Sequence, residues 1–138
     1  MAIRDLLLDT NAYVAFMRGI PEAKEVIKHA PSIGINSVVL GELLAGFAMG
    51  SREAANIEEL KLFMNSARVR FFSLDEVTSS FYAGVYRDLR TTGRPIPTND
   101  MWIAATALQH SLAVVTFDEH FKTVKGLAFG TRLLDFVY

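Results

Sequence analysis

The chain has no cysteine. That absence excludes a disulfide framework, a thiolate zinc site and any thiol nucleophile. No secretory leader opens the sequence, so a cytoplasmic protein is the expectation, and the longest apolar run falls far short of a membrane span. Net positive charge is also missing. With a formal charge of -1 there is no global field to draw nucleic acid, which must be held through a local patch or through metal ions. There is no internal repeat and no low-complexity linker. What is present is a globular composition, 51% hydrophobic and 21% charged over 138 residues, which predicts one domain spanning residues 1–138.

The most informative stretch is Leu6-Leu7-Leu8-Asp9-Thr10-Asn11, an aliphatic run that ends in a carboxylate. Three leucines without polar alternation read as a strand buried on both faces, as in a parallel sheet. The segment from Ala12 to Arg18 reads as a short helix closed by Gly19, so Asp9 falls at the carboxyl end of a strand, where ligands bind in open α/β sheets. Helix capping explains an Asp there equally well.

Further along, Pro21–His29 predicts a surface helix with Ala23, Val26 and Ile27 inward. Ile33-Gly34-Ile35 predicts a strand, and Asn36-Ser37 caps an apolar helix from Val38 to Met49, most of whose surface should be buried. Glu42 is its only charged residue, and a lone carboxylate in such a helix is costly unless paired or bound to an ion. Glu53–Asn65 predicts an amphipathic helix and Val69–Phe72 a strand. Asp75 caps a helix with Val77, Phe81, Gly84, Val85 and Leu89 inward. Arg87, Arg90 and Arg94 follow at near-helical spacing and are candidate RNA phosphate contacts, although a solvated charged face accounts for them as well.

Thr91–Pro97 predicts a loop, and Thr98 or Asn99 caps a helix running from Asp100 to His110. Leu112–Thr116 predicts another buried strand, followed after Phe117 by Asp118-Glu119-His120-Phe121. His120 is a candidate proton carrier, though a single loop histidine more often caps or packs. The tail from Leu127 predicts a closing strand or turn.

Asp9, Asp100 and Asp118 thus fall at strand-to-helix junctions, and Glu42 lies in the first half of a helix that follows a strand. In a parallel sheet all four face one edge. Clustered carboxylates repel unless a cation compensates, and an all-oxygen donor set favours Mg²⁺ or Mn²⁺ over zinc. Such a centre suits phosphoryl chemistry.

The four segments Leu7–Asn11, Ser37–Leu43, Pro97–Ala105 and Val115–Phe121 together resemble the PIN-domain nucleases, and within them the VapC toxins of toxin-antitoxin pairs. The resemblance implies a Rossmann-like α/β/α sandwich with a central parallel sheet. It implies Mg²⁺- or Mn²⁺-dependent endoribonuclease activity with Asp9, Glu42, Asp100 and Asp118 as the metal-binding acids and Asn11 and Thr116 as polar supports. It also implies an RNA substrate, homodimerisation and inhibition by a VapB-like antitoxin. A house-keeping PIN-domain RNA-processing nuclease carries the same motifs, and a catalytically silent PIN-like RNA-binding module is a further alternative. A haloacid-dehalogenase-type phosphatase is disfavoured because it needs a second Asp where Asn11 stands.

Overall fold

A computed structural model describes residues 2–138. Five strands, β1 (Leu6–Leu8), β2 (Ile33–Asn36), β3 (Val69–Phe72), β4 (Ala113–Val115) and β5 (Phe129–Gly130), form a single parallel sheet in the order β3-β2-β1-β4-β5. Six helices connect them: α1 (Thr10–Met17), α2 (Pro21–His29), α3 (Ser37–Ala48), α4 (Glu53–Met64), α5 (Glu76–Thr92) and α6 (Thr98–His110). Every residue of β1, β2 and β4 is buried, so the sheet is covered on both faces. The expected α/β fold is therefore observed.

Winding starts at the central strand, adds β2 and β3 on one side, then reverses to add β4 and β5 on the other. The reversal leaves a crevice between β1 and β4 at their carboxyl ends, the usual ligand position in such sheets. Register fixes what meets there. Leu8 pairs with Val115, and the Asp9 amide donates to the Val115 carbonyl at 2.9 Å, so Asp9 and Thr116 emerge side by side. Close strand packing also needs Gly34. A Cβ there would lie 2.8 Å from the Phe72 ring and 3.1 Å from the Leu6 carbonyl.

The helix over Pro21–His29 begins and ends as the sequence predicts, with its three inward residues buried. Other expectations need correction. α3 buries only Val39 and Leu43, while Leu44, Ala45, Gly46 and Met49 are exposed; an apolar helix surface records what can be covered, not that this fold covers it. On α5, Val77 and Phe81 face outward and Gly84 is half-buried, while Thr78, Val85 and Leu89 are the buried residues. The cause is the capping box. Asp75 and Thr78 bond each other reciprocally and Thr78 reaches Gln109 of α6, which turns Thr78 inward and Val77 out. α5 also continues through Thr92 and is closed by Gly93 at φ 70°, so the connecting loop is shorter than predicted. α6 begins at Thr98 without a side-chain cap, which places Asn99 and Asp100 inside its first turn. No helix among the described residues is long and apolar enough to cross a membrane.

An acidic cleft as candidate active site

Asp9 ends β1 in extended conformation and caps α1, its Oδ1 accepting from the Thr10 amide at 2.8 Å. Its other oxygen, Oδ2, accepts from the Thr116 hydroxyl at 2.8 Å. Capping and site membership, which read as rivals in the sequence, are thus two uses of one carboxylate. Thr116 Oγ1 in turn accepts from the Asp118 amide at 2.9 Å, coupling the ends of β1 and β4. Asn11 accepts from the Phe117 amide at 3.1 Å through Oδ1 and so pins the loop that carries Asp118.

Glu42 arrives from α3. Asn36 caps that helix through the Val39 amide at 3.0 Å and donates to Thr106 of α6 at 3.0 Å, a fully buried contact that fixes α3 against α6. The Glu42 carboxylate is held at both oxygens, by the Thr10 hydroxyl at 2.7 Å and by the Asn99 amide at 2.8 Å. The sequence does not mark Thr10 and Asn99 as site residues, because a Thr or Asn beside an Asp at a helix start carries the signature of a cap and nothing more.

Asp100 sits in the first turn of α6, where the helix end favours negative charge. The imidazole Nδ1 of His120 lies 2.9 Å from Asp100 Oδ2 and 3.0 Å from Asp118 Oδ2. His120 therefore joins the acids, and the packing or capping reading of it is corrected.

All four acids line one open cleft of about 600 Å³, together with Thr10, Asn11, Asn99, Arg18 and Phe117. Burial pushes the Asp9 carboxyl up from 3.8 to about 6; the bonds from Thr116 and Thr10 oppose the rise, and the charges on Asp100 and Glu42 add to it. Burial also raises Asp100, against the His120 bond and with the charges of Asp118 and Glu42. His120 is raised, first by its bond to Asp100 and further by the charges on Asp118, Asp100 and Asp9. These are the marks of carboxylates held close enough to repel, with the imidazole placed where a cation relieves them. Asp100, Asp118 and His120 each present one ligand atom within 4.8 Å of the others. Oxygen donors predominate, which fits a hard divalent ion.

The predicted arginines lie elsewhere. Arg87 is exposed on α5 beside Asp88, at 3.6 Å, Arg90 lies over the Tyr86 ring at 5.3 Å, and Arg94 is exposed in the loop before α6. None of the three lines the cleft.

The PIN domain family matches residues 6–127 of the chain. Among curated relatives, Ribonuclease VapC4 of Mycobacterium tuberculosis is 34% identical over 127 residues, covering 88% of this chain and 92% of the relative. Ribonuclease VapC1 of Rickettsia felis is 33% identical over the same shares. Among solved structures, VapBC-1 from nontypeable Haemophilus influenzae superposes with a TM-score of 0.78 at 25% identity, covering 91% of this chain and 96% of that one.

Proposed function

The chain belongs to the PIN-domain family, and from that premise we propose that Asp9, Glu42, Asp100 and Asp118 hold a divalent cation at which RNA phosphodiester bonds are hydrolysed. In class the protein is an endoribonuclease of the VapC kind, the toxin of a toxin-antitoxin pair, with a VapB-like antitoxin as its partner. The observation that carries the site assignment is the convergence of four acids from four separate segments on one cleft, with burial and mutual repulsion raising Asp9 and Asp100.

A bound Mg²⁺ or Mn²⁺ would supply charge neutralisation at the phosphate and ease deprotonation of the attacking water. The chain's own residues do the rest. Thr116 and the Thr10 amide fix the two oxygens of Asp9, while Thr10 and Asn99 fix those of Glu42, so neither carboxylate must reorient when charge enters the cleft. The Nδ1 of His120 lies between Asp100 and Asp118, where a proton relieves their repulsion. Arg90, near the end of α5, and Arg94, in the loop by which the chain returns toward Asp100, are proposed as outer contacts for the RNA backbone. Homodimerisation is proposed on the family resemblance and is checked by sedimentation.

The test is cleavage of a structured RNA pool by the purified protein with Mg²⁺, with Mn²⁺ and with EDTA, alongside Asp9→Asn. Metal-dependent cleavage that is lost in the variant supports the assignment. Cleavage that persists in EDTA, or in Asp9→Asn, would remove it.

A further inference from the structure

A cleft lined by four carboxylates repels a polyanion over most of its surface. RNA must then be steadied by whatever in the lining is not acidic. The lining holds one cationic side chain, Arg18, and one aromatic ring, Phe117. Resting on the ribonuclease assignment above, we propose that these two residues hold the RNA strand on either side of the cut, Arg18 taking a backbone phosphate and Phe117 stacking a base.

Arg18 ends α1, and its backbone is fixed there by an amide bond to the Val14 carbonyl at 3.0 Å, with Gly19 turning the chain away at φ 75°. Its side chain is exposed, and its guanidinium enters none of the ion pairs among the described residues. A planar guanidinium without a carboxylate partner, on the wall of an acidic cleft, is suited to bidentate phosphate contact.

Phe117 has a different anomaly. It directly follows buried Thr116, yet it is 44% exposed. Its amide is tied to Asn11 at 3.1 Å, so the ring is offered from a fixed backbone and not from a loose loop. It lines the acidic cleft and also a neighbouring hollow of about 390 Å³ bordered by Thr131 and Asp135, and so stands as a ridge between two recesses. An exposed ring between a catalytic recess and a second hollow suits an unstacked base, because every base has a face that stacks on an aromatic side chain.

The experiment measures affinity and turnover separately, on a short fluorescein-labelled single-stranded RNA. Affinity is read by anisotropy with Ca²⁺ over a range of salt, and KM and kcat are read with Mg²⁺ or Mn²⁺. Phe117→Ala is expected to weaken binding roughly tenfold or more, with Phe117→Trp restoring it and Phe117→Leu failing to do so. Arg18→Ala is expected to lower the slope of log affinity against log salt by about 0.7, and Arg18→Lys to keep it. For both alanine variants KM rises while kcat stays within about twofold. Melting temperatures matching the wild type establish that each variant is folded.

Phe117→Ala or Arg18→Ala binding RNA like the wild type overturns the proposal and leaves those surfaces to a protein partner. Equal affinity of Phe117→Leu and wild type overturns the stacking role. A wild type that binds this RNA but cleaves none with either metal defeats the ribonuclease site instead, and the anisotropy series still decides the roles of Arg18 and Phe117. A wild type that does not bind RNA defeats both.

Discussion

Replacing Asp9 by Asn should make the metal-free protein more stable at neutral pH while abolishing metal-dependent cleavage. In the folded protein the Asp9 carboxyl is pushed from 3.8 to about 6, a roughly hundredfold stronger hold on its proton. At about 1.36 kcal/mol per factor of ten, the ionised carboxylate lowers stability by up to about 3 kcal/mol above pH 6. Between pH 4 and 6 the folded chain keeps a proton that the unfolded chain releases, so stability falls as pH rises through that window and levels off above it. Asn keeps the shape of Asp and caps α1 equally well. It exchanges the acceptor that faces Thr116 for a donor, a loss of about 1 kcal/mol. The net gain at pH 7 is therefore about 1–2 kcal/mol, or several degrees in melting temperature for a domain of this size. The assay is chemical denaturation of both proteins in EDTA from pH 4.5 to 8. His120 also contributes stability that is lost as pH rises through its raised value, but it is present in both proteins and largely cancels in the difference. A difference that is flat across pH 4.5–8, or an Asp9→Asn protein that melts lower at pH 7, would refute the reasoning.

Removing the clamp on Glu42 by Asn99→Ala or Thr10→Val should lower divalent-metal affinity or turnover about 10- to 100-fold with the fold intact, read by metal titration and circular dichroism; unchanged values would mean Glu42 needs no clamp. Divalent-ion affinity should weaken as pH drops below about 6, where Asp9 regains its proton, and calorimetric titration at pH 5 and pH 7.5 checks this. Gly34→Ala should cost about 1–3 kcal/mol, because its Cβ would press on Phe72 and the Leu6 carbonyl; a melting temperature within a degree of wild type would show that the sheet yields there. Arg87→Ala, which alters a residue outside the cleft, should reduce RNA binding only at low salt, and an equal loss at high salt would argue for a direct contact.

The sheet and the acids were legible because buried parallel strands leave an unmistakable trace: Leu6–Leu8 and the run through Val115 admit no polar residue until the chain reaches the edge where Asp9 and Asp118 stand. The Pro21–His29 helix was legible to the residue because Pro21 opens it and Lys28 and His29 close it, in the sense the helix dipole favours. What could not be read was rotation and partnership. Helical spacing admits either Val77 or Thr78 as the inward residue of α5, and the choice is made by Gln109 of α6, 31 positions away. Thr10 and Asn99 gave no signal because their partner, Glu42, is 32 and 57 positions distant. His120 gives little signal for the same reason. Its ring meets Asp100 across 20 positions.

The bond from Thr116 to Asp9 spans 107 positions, and that separation gives the toxin a built-in delay during its own synthesis. Asp9 leaves the ribosome well before its partner at the end of β4, which follows 107 positions later. At about 5–20 residues per second, Asp118 is added roughly 5–20 s after Asp9. A nascent chain interrupted anywhere before β4 carries at most three of the four acids and no assembled cleft. Competence for RNA cleavage at this cleft therefore arises only once β4 and the loop that carries Asp118 have been made and have folded against β1.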